Sequence, residues 1–148
     1  MIDQLYQKTI LKHAANAIAH GELADADHSL MHHNPMCGDR IKVYIKLENN
    51  SLINFSHQAK ACALCQASAS VLGENYYGLT HAKLTDLIEK IKISLNETTD
   101  ENKIIWPEDK WQALDVFNVV REHKSRQTCV TLPFDALLLA IEENENSV

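Results

Sequence analysis

The residues best suited to chemistry are the cysteines and the carboxylate that stands beside the first of them. Cys37 and Asp39 flank Gly38 within Asn34–Asp39, so a thiol and a carboxylate lie two positions apart. Gly38 has no side chain that would hinder both groups from turning toward one centre. Thiolates and carboxylates both bind zinc, which makes the pair a candidate half-site. Asn-Pro and Gly-Asp are also common turn dipeptides, so a loop with an incidental cysteine is the competing interpretation.

The other cysteines are Cys62, Cys65 and Cys129. We expect Cys62 where a strand gives way to a helix, and Cys129 where a loop enters a helix. Backbones converge at such boundaries, so one buried zinc ion could bind three thiolates and one carboxylate in tetrahedral geometry. That set is Cys37, Asp39, Cys62 and Cys129. The same cluster, with a readily displaced carboxylate, could accept iron or sulfur.

Cys65 leaves a second arrangement open. It follows Cys62 by three positions on a predicted helix and therefore shares its face, so a four-cysteine zinc site competes with the first set. Cysteine outside disulfides is often buried, and we favour a core position for Cys65. A thiol oxidoreductase using both residues is a further interpretation, although the strand-loop-helix context of a thioredoxin-like parallel sheet is missing.

The histidines are weaker candidates. His32 and His33 stand close to Cys37, but successive residues of an extended segment point to opposite sides, so at most one could face the site. No other histidine has a partner at ligand spacing, and we expect those residues on the surface or in the core.

Composition limits the class of protein. The 148 residues, of which 45% are hydrophobic and 23% charged, suit a single domain over 1–148. The net charge of -6, from 20 acidic and 14 basic residues, does not favour binding to nucleic acid or to an anionic membrane. No apolar run approaches the ~18 residues of a membrane span, and the start lacks a secretory signal. We therefore expect a cytoplasmic chain whose partners are proteins or small ions.

Hydrophobic periodicity predicts an α+β fold with a small antiparallel sheet of about three strands. Apolar residues at helical spacing predict a helix from Asp3 to about Ala19. Apolar and polar residues alternate over Ile41–Leu47, which predicts a half-buried strand. Asn49-Asn50 supply a turn, and Leu52–Ala59 are predicted as the second strand of a hairpin. The segment His28–His33 is ambiguous, with a first edge strand as one interpretation.

Four further helices would pack on this sheet. They run from near Cys62 to Tyr77, from about Thr80 to Leu95, from Trp106–Asp109 onward, and from about Cys129 to Glu143. Pro133 would then stand in the first turn of the last helix, where proline is tolerated. The polar segment Asn96–Asn102 is predicted as an exposed loop.

Three ordered blocks carry a resemblance to a known family. They are Asn34–Ile41, Ala61-Cys62 with Gln66–Ser70, and Arg126–Leu132. Together they resemble the iron–sulfur cluster assembly scaffolds of the IscU and NifU N-terminal family. The long interval before the last block looks like the SufU branch. Three positions depart from the usual pattern: Thr128 for a histidine in IscU members, Ala61 for a glycine, and Cys65 for a serine.

The resemblance implies a compact α+β domain with a metal site at one end. Its ligands would be Cys37, Asp39, Cys62 and Cys129, binding zinc, or alternatively iron or a transient iron–sulfur cluster held by the three thiols. The implied partner is a cysteine desulfurase, and apo iron–sulfur proteins would receive the product. Sulfur would be accepted at Cys37 in SufU-like members and at Cys129 in IscU-like members. The alternative is a zinc-stabilised binding module that transfers no sulfur.

Overall fold

A three-stranded sheet with helices on one face forms the architecture. The computed structural model describes residues 4–16, 18–34, 38–96, 106–107 and 109–146. The elements, in chain order, are α1 Gln4–Asn16, β1 His28–His33, β2 Arg40–Glu48, β3 Ser51–Lys60, α2 Ala63–Asn75, α3 His81–Leu95, a 3₁₀ helix Asp109–Val120 and α4 Lys124–Asn146. The predicted α+β fold is therefore confirmed. No helix in the described ranges is both long and apolar enough to cross a bilayer.

The sheet is antiparallel with the order β1-β2-β3, so the ambiguous first segment is an edge strand. Asn49 and Asn50 join β2 to β3 with φ angles of 54° and 64°. Two consecutive left-handed residues are the geometry of a two-residue hairpin turn, which asparagine tolerates. Ile41, Val43 and Ile45 are fully buried on one face of β2. The alternation seen in the sequence thus correctly predicted which face is covered.

Two helices cover that face and the others pack behind them. α4 lies against β1 and β2, and α2 lies against β3. α1 packs on α2 and α3 on α4, while the 3₁₀ helix contacts all four α-helices. The core is filled by the largest fully buried side chains: Ile41, Ile45, Leu52, Phe55, Leu72, Leu84, Ile91, Leu95, Leu114, Phe117, Phe134 and Leu137.

The predicted start of the last helix is wrong. α4 begins at Lys124, so Cys129 lies within the helix and Pro133 lies in its interior. Long-range bonds stabilise the early start: the Gln127 side-chain amide donates to the carbonyls of Leu95 and Arg121, each at 2.8 Å. Pro133 suggested a later start, because proline has no N–H to donate within a helix and is best tolerated in the first turn. Tertiary contacts outweigh that local preference here.

Two other helix predictions need smaller corrections. α1 ends at Asn16, before the predicted Ala19, and Asp3 lies outside the described residues. The helix expected from Trp106–Asp109 is a 3₁₀ helix that begins at Asp109. Runs of this kind are usually short, because eclipsed side chains and poorer hydrogen bonds weaken them. Of the loop predicted at Asn96–Asn102, only Asn96 is described.

His57 anchors the segment between α1 and β1 to the sheet. Its backbone N–H donates to the Ala19 carbonyl at 3.0 Å, and its carbonyl accepts from Gly21 N–H at 2.9 Å. Its ring Nε2 lies 2.9 Å from the Ile18 carbonyl, so Nε2 carries the proton. The side chain is 3% exposed, and burial lowers its pKa, as does the charge of His20, although the bond to Ile18 partly opposes this.

The free energy of unfolding should depend on pH through His57. A histidine pKa that is lowered in the folded state gives stability that is present above the unfolded pKa of about 6.5 and is lost as the pH falls through the folded value. His57→Gln keeps a donor for Ile18 but cannot titrate, so the free energy of unfolding should depend less on pH in this range. Urea unfolding of both proteins between pH 5 and 8 measures the difference, and parallel curves would contradict the assignment.

Candidate metal centre

Three side chains of metal-ligand type meet at one end of the sheet. A carboxylate oxygen of Asp39 and the Sγ atoms of Cys62 and Cys129 all lie within 4.8 Å of one another. Asp39 is 8% exposed and Cys129 2% exposed, while Cys62 is half-buried. Ligand atoms around one tetrahedral zinc ion lie roughly 3–4 Å apart, because each stands about 2.0–2.3 Å from the metal. Small side-chain rotations would therefore bring these atoms to a shared ion.

The turn between β1 and β2 positions Asp39. Asn34 N–H donates to the Asp39 carbonyl at 2.8 Å, and Gly38 N–H donates to the Asn34 carbonyl at 3.0 Å. Gly38 has a φ of +73°, a left-handed conformation that favours glycine. The Asp39 carboxylate accepts from the Cys62 backbone N–H at 3.2 Å. This bond turns the carboxylate toward the start of α2.

Cys62 is the N-cap of α2, as the predicted strand-to-helix boundary required. Its backbone is extended, with φ −66° and ψ 167°, and its carbonyl accepts from Gln66 N–H at 3.1 Å. The Gln66 side chain also donates to the Ala61 carbonyl at 2.8 Å. Partial positive charge at a helix N-terminus favours an anion there, so the position suits a metal-bound thiolate.

Cys129 reaches the same point from α4. The helix is tied to α2 by the buried Ser68 hydroxyl, which donates to the Val130 carbonyl at 2.5 Å. This bond fixes the residue next to Cys129 against the helix that Cys62 begins. One thiol thus comes from the N-cap of α2 and the other from the second turn of α4, which packs on α2.

Asn34 is a positioning residue that sequence patterns did not reveal. Its side-chain amide donates to the Thr128 hydroxyl at 2.7 Å, and that hydroxyl donates to the Ser125 carbonyl at 2.9 Å. The turn before β2 is thereby bonded to the residue that precedes Cys129. Asparagine before proline indicates a turn, but no local signal predicts a partner 94 positions away.

Asn34→Ala should weaken zinc binding by about 10-fold, because residues that orient metal ligands typically contribute 10- to 100-fold in affinity. The measurement is competition with a chromogenic zinc chelator. Asn75→Ala is the matched control, since the Asn75 side chain donates to the Val71 carbonyl at the other end of α2. Equal affinities for wild type and Asn34→Ala would show that this contact does not hold the site.

The remaining candidates have different outcomes. Cys37 lies outside the described residues, so its place as a ligand stays a prediction. Cys65 is fully buried among hydrophobic side chains and is not part of the three-residue group. His32 is half-buried and contributes to the electrostatics of Asp135, whereas His33 is exposed. Burial raises the pKa of the Asp135 carboxyl, an effect that the charges of Lys92 and His32 oppose.

The donor set suits zinc. Thiolate sulfur and carboxylate oxygen are both zinc ligands, and a buried position with three donors leaves room for one more. Among the residues that the structure describes, this is the one group of three or more ligand-type side chains within such a distance.

Known proteins share this fold along nearly the whole chain. A NifU-like protein (N-terminal) from Brucella abortus superposes with a TM-score of 0.86 at 33% identity and covers 99% of both chains. The iron-sulfur cluster assembly scaffold protein IscU of Thermotoga maritima is 27% identical over 94% of each chain. The zinc-dependent sulfurtransferase SufU of Bacillus subtilis is 24% identical over 97% of this chain and 94% of its own.

A family model matches the chain over a range that includes the whole candidate site. The model of the NifU-like N terminal domain matches residues 5–145, a range that contains both the turn before β2 and the starts of α2 and α4. The chain therefore belongs to the family of NifU-like N-terminal domains.

Proposed function

We propose that the chain is an iron–sulfur cluster assembly protein that accepts persulfide sulfur from a cysteine desulfurase, scaffolds a nascent cluster, or does both. The observation that carries the proposal is the convergence of Asp39, Cys62 and Cys129 within 4.8 Å. Relatives named as a cluster scaffold and as a zinc-dependent sulfurtransferase support both parts. The whole of 1–148 would act as one domain.

Cys37, Asp39, Cys62 and Cys129 would hold zinc in the resting protein. Zinc keeps bound thiols deprotonated and protects them from oxidation, and it would also stabilise the fold. Asp39 is the one oxygen donor among sulfurs, and its carboxylate also accepts a backbone N–H at 3.2 Å. Iron or a nascent cluster would be cargo on the same three thiols.

Sulfur transfer follows from thiol chemistry. A thiolate of this chain attacks the outer sulfur of the desulfurase persulfide, the sulfur–sulfur bond breaks, and the desulfurase cysteine leaves as a thiolate. The new sulfur–sulfur bond then stands on this chain, and no oxidant or reductant is consumed. Cys37 and Cys129 are the predicted acceptors. Cys129 is 2% exposed, so a direct attack by this thiol would require the site to open.

The test combines the zinc-loaded protein with the desulfurase of the same organism and L-cysteine. We expect faster alanine production and a mass increase of one sulfur atom on this chain. Cys65→Ala is the control, since Cys65 lies in the core and should preserve both effects. Stoichiometric zinc without stimulation or persulfide would instead identify a zinc-stabilised binding module.

A further inference from the structure

The outer face of the sheet has a concentration of positive charge beside the metal centre. Arg40 and Lys60 are directly opposed on β2 and β3, and Lys42 lies opposite Gln58. Alternation with the buried Ile41 places these side chains on the face opposite the one that the described helices α2 and α4 cover. A cavity of about 390 Å³ lies among them. Its lining, here termed the basic surface, comprises His20, Met31, Arg40, Lys42, Gln58, Ala59 and Lys60.

This arrangement is unfavourable for the isolated fold. Residues directly opposite in an antiparallel pair have Cβ atoms about 4.5–5.5 Å apart, and like charges there are destabilising. In the described part of the chain, no carboxylate forms an ion pair with Arg40, Lys42 or Lys60. The chain nevertheless has a net charge of -6, so acidic residues are plentiful. A single substitution of Arg40 or Lys60 would relieve this repulsion. The presence of both charges therefore indicates that they serve a purpose other than stabilising the fold.

The other end of the sheet shows the contrast. Lys46, also on β2, pairs with the Asp25 carboxylate at 3.1 Å, and the Asp27 carboxylate accepts Leu47 N–H at 2.8 Å. Among the described residues of β2, Lys46 is therefore paired with a carboxylate far from the metal centre, whereas near it Arg40 has no such pair and Lys42 lies over the Tyr44 ring, 5.2 Å from its centroid.

The character of the basic surface fits a protein partner. Met31 is 53% exposed within it, and methionine and arginine are enriched where proteins bind one another. Positive charge around an exposed apolar side chain is complementary to an acidic protein patch, which would also speed association. Nucleic acid is the less favoured occupant, because the negative charge of the rest of the chain would repel it.

The location connects this surface to the proposed function. Asp39 immediately precedes Arg40, and Cys62 follows Lys60 by two positions, so the surface adjoins the candidate ligands. We propose that the basic surface docks an acidic patch of the cysteine desulfurase and thereby brings its persulfide to the metal centre. This inference rests on the proposed function.

The test is desulfurase binding by a triple variant, Arg40→Gln, Lys42→Gln and Lys60→Gln. Neutralising the opposed charges should leave the fold at least as stable, and zinc content should not change. We expect the association rate constant at low salt to fall by about 10-fold, with a weaker dependence on salt. The matched control is Lys8→Gln, Lys12→Gln and Lys83→Gln, which removes three exposed charges elsewhere and should stay within about 2-fold of wild type.

The outcomes separate the two proposals. Wild-type affinity in the basic-surface variant, or an equal loss in the control, overturns the docking surface and leaves the proposed function intact. A wild-type protein that neither binds nor stimulates the desulfurase overturns the proposed function and the docking surface with it. If the variant loses only binding to a DNA duplex, or only self-association seen by sedimentation, the surface belongs to that other partner and the inference is wrong.

Discussion

Cys129→Ser is expected to lose its zinc to a chelator at a concentration that wild type withstands. Four-ligand structural zinc sites bind with about 10–16 kcal/mol, so the loss of one thiolate ligand should weaken affinity by at least about 100-fold. Serine retains a similar shape, but its hydroxyl does not supply a thiolate to the metal. Cys62→Ser should behave in the same way, because both Sγ atoms belong to the three-residue group.

Metal analysis of purified protein and chelator competition measure this effect. Zinc held at a site that folding assembles stabilises the native state, so EDTA should lower the melting temperature of wild type but leave that of Cys129→Ser unchanged. Cys65→Ala is the control and should keep stoichiometric zinc. Loss of zinc in that control would establish the four-cysteine arrangement, and wild-type affinity in Cys129→Ser would remove Cys129 from the site.

Arg121→Ala should cause a large loss of stability, although Arg121 lies outside the metal centre. Arg121 is 7% exposed, and its guanidinium donates to the Ser94 carbonyl at 3.0 Å and the Asn96 carbonyl at 2.8 Å. These carbonyls end α3, where a cation is favourable. Hydrogen bonds to charged groups contribute about 1.5–3 kcal/mol each, so removing both should cost about 3–6 kcal/mol.

Urea unfolding should show a lower midpoint with an unchanged slope, and the melting temperature should fall by roughly 10 °C. Arg126→Ala provides the comparison, because Arg126 is an exposed residue of α4 and should change stability by less than about 0.5 kcal/mol. Arg121 also fixes the segment that leads into α4, the helix that contains Cys129, so its variant should bind zinc more weakly. Equal stabilities of the two variants would show that the bonds to Ser94 and Asn96 contribute little.

β2 and β3 were predictable because their signals are local, whereas β1 remained ambiguous in the sequence. Alternation in β2 depends on immediate neighbours, and the Asn49-Asn50 turn selects the hairpin through left-handed geometry that asparagine tolerates. The N-cap position of Cys62 also follows from a change of periodicity. Each of these features is set by interactions within a few residues.

The start of α4 was not predictable for the opposite reason. Pro133 locally favours a nearby helix start, whereas Gln127 bonds the ends of α3 and of the 3₁₀ helix and extends α4 to Lys124. Contacts across more than 30 residues outweigh the preference of one proline. Asn34 and Thr128 illustrate the same limit, since neither residue type predicts the other as its partner.

The sequence by itself determined the kinds of candidate ligand in this protein, the strand that follows Asp39 and the strand that precedes Cys62. Thiols and a carboxylate, a glycine suited to a left-handed turn, and a cysteine at the start of a helix are all local properties. Only the tertiary structure decided that Asp39, Cys62 and Cys129 meet and that Cys65 stays in the core. Those outcomes depend on how α2 and α4 pack on the sheet, and packing sums many weak contacts between distant residues.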